Sequence, residues 1–349
     1  MKTILRKTIT TLFKAIWGFI RKALGSRGHG LLRDLIEVVE ENAKVFITYH
    51  SRPMDSASVC TKRDDVRNQK RLAIIIQGPI VCKNDFTLET VRIYKEHYSN
   101  ALIILSTWED ENSDAVKRFE ELDVSVILNK KPDYSGISNI NFQIVSAGSG
   151  IRKAQELGVE YALKTRTDQR IYAPNVADYL SNIVEVFPVS RGYERQRKRI
   201  VGVSLNTFKY RMYGLSDMMI YGYIDDMLLY WNAVLDQRKF SDEETQKAST
   251  SLRNFALWRV CEVYLSTEFL LKVGRKLEWT LKDSWEAFAD HFCIIDREQL
   301  DLFWPKYNRF EYRWLGYTEK INSEEMNFRE WLNIYNNLGN KNIRENILD

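Results

Sequence analysis

Tyr161-Ala-Leu-Lys-Thr-Arg-Thr-Asp-Gln169 decides the reading of this chain. The stretch opens as an apolar strand and ends sharply charged. Side chains alternate along a strand, so Lys164, Arg166 and Asp168 are expected on one face. Two cations and a carboxylate at the end of a buried strand are costly unless a polyanion or a metal ion sits beside them. A plain ion pair at the surface is the alternative. In open α/β sheets ligands bind outside the carboxyl ends of the strands, which is where this trio falls. The set suits a sugar nucleotide, with cations for the diphosphate and a carboxylate for a divalent ion or the sugar hydroxyls.

Working outward, Leu72-Ala-Ile-Ile-Ile76 is a short β-branched run that stops at Gln77-Gly78-Pro79, as a buried strand leading into a loop should. A helical pattern follows over Thr87–Tyr98, then a strand, Ala101–Leu105, ending in Ser106-Thr107-Trp108. A helix over Ser113–Leu122, a strand Val124–Leu128 and a long helix Asn139–Leu157 lead back to Tyr161. This alternation predicts an α/β domain with a mostly parallel central sheet flanked by helices. Beyond Asp168 the alternation lapses. A helix over Asn175–Val186, a basic loop Ser190–Arg199 and strands at Ile200–Ser204 and Met218–Tyr221 precede a mainly helical, aromatic part. Its clearest helix is expected at Leu257–Val273. Glycine-rich phosphate loops of the GxxxxGK[ST] or GxGxxG kind are missing, which disfavours kinase and dehydrogenase chemistry.

The 349 residues carry a net charge of +4, unevenly placed. Residues 1–33 hold eight Lys or Arg and no acid, leaving 43 basic against 47 acidic residues in the rest. An acidic body with a basic front excludes a nucleic-acid binder. Cys60, Cys82, Cys261 and Cys293 are scattered without metal spacing and read as reduced thiols of a cytoplasmic protein. In the front segment Leu5, Ile9, Leu12, Phe13, Ile16, Trp17, Ile20 and Leu24 recur at helical spacing opposite Lys and Arg. Lys14 interrupts the run, so a helix lying in an anionic membrane interface is expected in preference to a spanning one. A second amphipathic piece, Leu31–Phe46, is expected to pack on the body, and His50–Arg71 to form a linker.

Six short motifs occur in order: Gln77-Gly-Pro79, Glu89-Thr90, Ile104-Leu-Ser-Thr-Trp108, Asn139…Asn141-Phe-Gln143, Leu163-Lys-Thr-Arg-Thr-Asp168 and Ser216-Asp217…Gly222. Together, over roughly residues 71–320, they resemble the WavE family of bacterial lipopolysaccharide-synthesis proteins. The resemblance implies a glycosyltransferase with a GT-A-like nucleotide-diphospho-sugar transferase fold, its domain followed by a helical tail, 321–349. It implies a nucleotide-sugar donor and a lipid-linked glycan acceptor at the inner face of the plasma membrane. The Gln77-Gly78-Pro79 and Thr107 loops would then flank base and ribose, and Arg166–Asp168 the diphosphate. Two departures stand out. Phe142 occupies the place of a family arginine, whose role is then either missing or passed to Arg152 or Lys153. The Asp-x-Asp metal motif of such folds appears only as Arg166-Thr-Asp168. One carboxylate with substrate phosphates can hold Mg²⁺ or Mn²⁺, or Lys164 and Arg166 can neutralise the leaving group without metal.

For the acceptor's general base, Asp217 ahead of a strand is the first candidate and Glu262 on an apolar helical face the second. Simpler roles are turn capping for Asp217 and a pair with Arg259 for Glu262. His291 is placed as a metal ligand with Asp168, or as a packed core residue. Asn139, Asn141 and Gln143 open a helix where free N–H groups and amides suit an anion or ribose. Ser146–Gly150 makes that helix narrow, for packing on the sheet or for ligand. The cations of Arg191–Arg199 are read as solvated or as meeting acceptor phosphates. The rival readings are a sugar nucleotidyltransferase and a non-catalytic membrane-bound scaffold.

Overall fold

The computed structural model describes residues 2–24, 28–43, 52–59, 71–248, 250–304, 324–337 and 343–349. They fall into two compact units, Met1–Arg52 and Pro53–Asp349. The first holds α1 (Lys2–Leu24) and α2 (Gly28–Ala43). On α1 the apolar side chains Leu12, Phe13, Ile16 and Phe19 are exposed, Phe19 by 75%, and Phe13 stacks on Trp17. Lys7, Lys14 and Lys22 are exposed on the same helix. Helix α2 leaves Leu35, Val38 and Val39 exposed. No described helix is long and apolar enough to cross a membrane.

The second unit begins with β1 (Leu72–Gln77), α3 (Phe86–His97), β2 (Leu102–Trp108), α4 (Ser113–Glu120), β3 (Ser125–Asn129), α5 (Ile140–Glu156) and β4 (Tyr161–Arg166). Then come β5 (Arg170–Ile171), α6 (Val176–Val186), β6 (Ile200–Val203), β7 (Ile220–Tyr223) and α7 (Ile224–Trp231). The remainder is α8 (Asp242–Ala248), α9 (Leu252–Trp258), α10 (Cys261–Lys272), α11 (Leu281–His291), β8 (Phe292–Ile295), β9 (Leu302–Phe303) and α12 (Phe328–Asn337). Seven strands form one sheet in the order β3-β2-β1-β4-β7-β6-β8. Strand β1 pairs in parallel with both β2 and β4, and β7 runs antiparallel to its neighbours β4 and β6. This is the mostly parallel α/β sheet expected. Every residue of β1 is buried, which is why its sequence reads as an unbroken apolar run and not as an alternation.

Helix α5 packs on β1 and β2 through its small residues. A Cβ on Gly150 would stand 2.4 Å from Cγ2 of Ile75, and one on Gly148 would stand 3.1 Å from the Trp231 carbonyl. The narrow face is therefore for packing.

Three stretches differ from expectation. Leu257–Val273 is not one helix: Arg259 takes a left-handed conformation (φ 54°) that ends α9, and α10 starts afresh at Cys261. Strand β8 adds to the sheet beside β6, immediately after α11 with no intervening turn. The segment expected as a tail belongs to the compact unit. Trp331 and Ile334 of α12 are fully buried, and the Trp331 indole donates to the Phe288 carbonyl at 3.0 Å. Of the expected linker, residues 52–59 and 71 are described, and the turn Ser56–Ser58 packs on α3. Ser56 donates through its amide and hydroxyl to Glu89 at 2.6 Å, and Arg170 donates to the Met54 carbonyl at 2.9 Å. Residues 50, 51 and 60–70 of that stretch lie outside the described set.

Candidate active site

A cleft of about 760 Å³ opens at the carboxyl ends of β1, β2 and β4. The strand register sets its floor, with Gln77 level with Ser106 on one side and Arg166 on the other. Gly78 turns the chain away at φ 121°, its N–H on the Ser106 carbonyl at 3.1 Å. A Cβ there would meet Thr167 Oγ1 at 3.0 Å, so the turn needs glycine. Gln77 and Pro79 line the cleft. The Gln77 amide oxygen is buried with no hydrogen-bond partner among the described residues, an acceptor waiting for a donor.

Thr107 sits behind this wall. Its hydroxyl donates at 2.8 Å to Glu111, which also accepts the Ile80 N–H at 2.9 Å, so Thr107 braces the Gln77 loop. The next residue, Trp108, faces the cleft and meets the Phe142 ring edge-on at 5.4 Å. The residue standing where the family has arginine thus completes an aromatic wall. Arg152 and Lys153 do not replace the missing cation, since they bond to Ser149 and Glu156 on their own helix.

Before α5 the backbone is left-handed at both Ser138 (φ 54°) and Asn139 (φ 62°), a costly pair for residues with a Cβ. Asn139 lines the cleft and makes no capping bond. Asn141 does not reach it. Its amide donates to the Tyr134 and Asp236 carbonyls and accepts the Asp236 N–H, which fixes the loop. Gln143 lines the cleft and donates to the Asp217 carboxylate.

Lys164 lies beneath the floor, fully buried and off the cleft surface, contrary to the direct phosphate contact expected. Its ammonium donates to Gln143 Oε1 at 3.2 Å and to the Asp217 carbonyl, and stands 4.9 Å from the Trp231 ring centre. Burial pulls its pKa down to about 8, against the opposing charge of Asp217 and with help from Arg166. Lys164 and Gln143 together orient Asp217. The Asp217 carboxylate also accepts the Cys261 thiol at 3.6 Å and caps no helix.

The break at Arg259 delivers Cys261 and Glu262 to the cleft on the first turn of α10. Arg259 turns to Thr267 and Glu268, so the expected Arg259–Glu262 pair is not made. Glu262 accepts from the Asn206 amide and lies 3.7 Å from Arg211. Burial pushes its pKa up, and the nearby charge of Asp217 adds to the rise. Arg211 also lines the cleft, its guanidinium 4.4 Å from the Phe208 ring centre and 5.2 Å from that of Phe255.

Asp168 and His291 do not form a metal pair. Asp168 holds Arg166, accepting Nε–H at 2.8 Å and Nη2–H at 3.1 Å, and accepts the Trp304 indole at 3.1 Å. His291 is fully buried, its Nδ1 2.6 Å from Gln196 Oε1 and its ring against Tyr193 at 4.1 Å. Burial pushes the imidazole down to about 3, so it is the neutral core residue. No group of three His, Cys, Asp or Glu that could hold a metal ion occurs among the described residues. The basic loop is likewise structural in large part. Arg199 is buried on the Phe187 and Pro188 carbonyls, Lys198 pairs with Glu185, and Arg197 lies over Tyr223.

Arg211, Asn206, Trp304 and Glu325 line the cleft without having been singled out in the sequence, and Trp108 appeared there only as part of a motif. The assembled site has guanidinium groups for an anion, an aromatic wall for a planar ring, and three carboxyl groups, those of Asp217, Glu262 and Glu325.

The sequence pattern of the family described as WavE lipopolysaccharide synthesis matches residues 72–348. No protein of curated function matches. Among solved structures, 4-diphosphocytidyl-2C-methyl-D-erythritol synthase is 13% identical over 49% of this chain and 82% of its own, with a TM-score of 0.29. A Bacillus anthracis protein assigned as glucose-1-phosphate thymidylyltransferase, in complex with sucrose, is 10% identical over 59% and 97%, at 0.31. A mannose-1-phosphate geranyltransferase from Thermus thermophilus is 12% identical over 39% and 41%, at 0.23. Likenesses at these scores carry no conclusion about activity.

Proposed function

This chain belongs to the WavE lipopolysaccharide-synthesis family, and from that premise we propose that it is a glycosyltransferase using a nucleotide-sugar donor. The observation that carries the reading is the convergence of Arg166, Asp217 and the Trp108–Phe142 wall on one cleft at the strand ends. The base stacks on the aromatic wall near the unpartnered Gln77 oxygen, and the diphosphate lies against the guanidinium groups. Asp217 takes the proton from the acceptor hydroxyl as that oxygen bonds to the anomeric carbon. The electron pair of the broken carbon–oxygen bond passes to the phosphate.

A thermal-shift panel of UDP, GDP, ADP, TDP and CMP compounds tests the donor. At about 100 times its dissociation constant a bound nucleotide adds about 2.7 kcal/mol to the folded state, a readily seen shift. A panel flat throughout, with the fold intact, turns the reading to a non-catalytic scaffold.

Lys164 gives turnover a pH signature. Turnover is expected to fall as pH rises through about 8, where the ammonium under Asp217 loses its proton. The folded state holds this proton less tightly than the unfolded chain does. Raising pH through that window therefore favours folding, and the loss is not unfolding through this group. A pH–rate profile of Lys164→Met should lack that limb; an unchanged limb removes Lys164 as its source.

The acceptor we propose is a lipid-anchored glycan, because α1 presents exposed apolar and basic residues suited to an anionic membrane surface. Deleting residues 1–24 should abolish sedimentation with anionic vesicles. Binding equal to that of the full chain would sink the anchor.

A further inference from the structure

Two guanidinium groups on the cleft differ in what holds them. Arg166 is clamped from one side: Asp168 takes two of its N–H groups, and Trp304 fixes Asp168 in turn. Both members of the pair are more than four-fifths buried, at 18% and 16% side-chain exposure. The third guanidinium nitrogen, Nη1, makes no hydrogen bond among the described residues. Arg211 is the opposite case. Its side chain is 17% exposed, it is flanked by two aromatic rings, and it makes no hydrogen bond among the described residues. Its nearest carboxylate, Glu262, stands at 3.7 Å, beyond hydrogen-bond length. A mostly buried cation with five donors and no acceptor calls for an anion.

A divalent ion fits poorly at the same place. Mg²⁺ and Mn²⁺ need carboxylate lone pairs, and those of Asp168 already take the bidentate guanidinium and the Trp304 indole. His291 is committed to the core. Two guanidinium groups, Arg166 held by Asp168 and Arg211, remain on the cleft to meet phosphate oxygens in the ion's place.

We infer that this cleft binds its nucleoside diphosphate without a divalent cation, Arg166 and Arg211 together taking the ion's place. Asp168 is then a positioning residue, holding the Arg166 fork so that Nη1 is presented to the phosphate. This rests on the nucleotide-sugar reading above.

Calorimetric titration with UDP, GDP, ADP and TDP, in excess EDTA and again with manganese, tests it on the full chain. The diphosphate that binds should do so with the same affinity in both buffers. Arg211→Gln should weaken it about ten- to a hundredfold in both. Arg211→Lys, which keeps the charge and loses the fork, should fall between and guards against a misfolded glutamine variant. Asp168→Asn should weaken binding equally in EDTA and in manganese. Binding lost in EDTA and restored by manganese would overturn the inference, as would wild-type affinity in both folded Arg211 variants. No binding in either buffer would instead overturn the nucleotide-sugar reading beneath it.

Discussion

Asp217→Asn is expected to lower kcat by about a hundred- to ten-thousandfold, the range lost with a general base. The reason lies in what converges on that carboxylate. Gln143 donates to it, Lys164 holds the carbonyl of the same residue, and the carboxylate is on the cleft surface while Lys164 is not. Asparagine keeps an oxygen for the Gln143 amide, so the fold and the nucleotide dissociation constant should stay near wild type. A loss confined to kcat, with the titration curve unmoved, marks a group acting on the acceptor. Wild-type kcat would remove Asp217 from the chemistry and leave Glu262 and Glu325 as the cleft carboxyls to test. Glu262 is the weaker candidate base, because burial and the Asp217 charge favour its protonated form.

Trp331→Ala should destabilise the second unit by about 3–5 kcal/mol, the cost of emptying a large buried aromatic site. The Trp331 ring lies edge-on to Phe187 at 5.1 Å and stacked with Tyr335 at 5.3 Å, and its indole N–H is bonded to the Phe288 carbonyl. Removing it leaves a cavity, while the Phe288 carbonyl keeps the Phe292 N–H that closes α11. Urea unfolding measures the effect. A change below about 1 kcal/mol would mean that α12 is dispensable to the second unit.

Strand β1 was readable because a parallel strand buried on both faces must be continuously apolar, and β1 is buried throughout. The break between α9 and α10 was hidden, since Arg259 adopts a left-handed conformation with neither Gly nor Pro to mark it. Strand β8 was hidden because it follows α11 directly. In the site, Gln77, Arg166, Asp217 and Glu262 stood out as polar residues against apolar strands or helices, and all four line the cleft. Lys164 was misplaced because alternation gives the face of a strand but not the depth below the cleft. Arg211 was passed over, although an arginine set among Phe208, Tyr210 and Met212 just ahead of Ser216-Asp217 is a usable signal. Asn141 and His291 had the right chemistry for ligands but met protein partners first, which spacing does not reveal.

The place of α12 bears on how the chain is born. Helix α12 covers α11 and β8, yet it is translated after both. Between the synthesis of Ile295 and that of Trp331 the ribosome adds 36 residues, roughly 2–7 s at ordinary elongation rates. Through that interval the apolar surface that α12 will cover on α11 and β8 stays bare. A chaperone that shields apolar surface thus has those seconds in which to act.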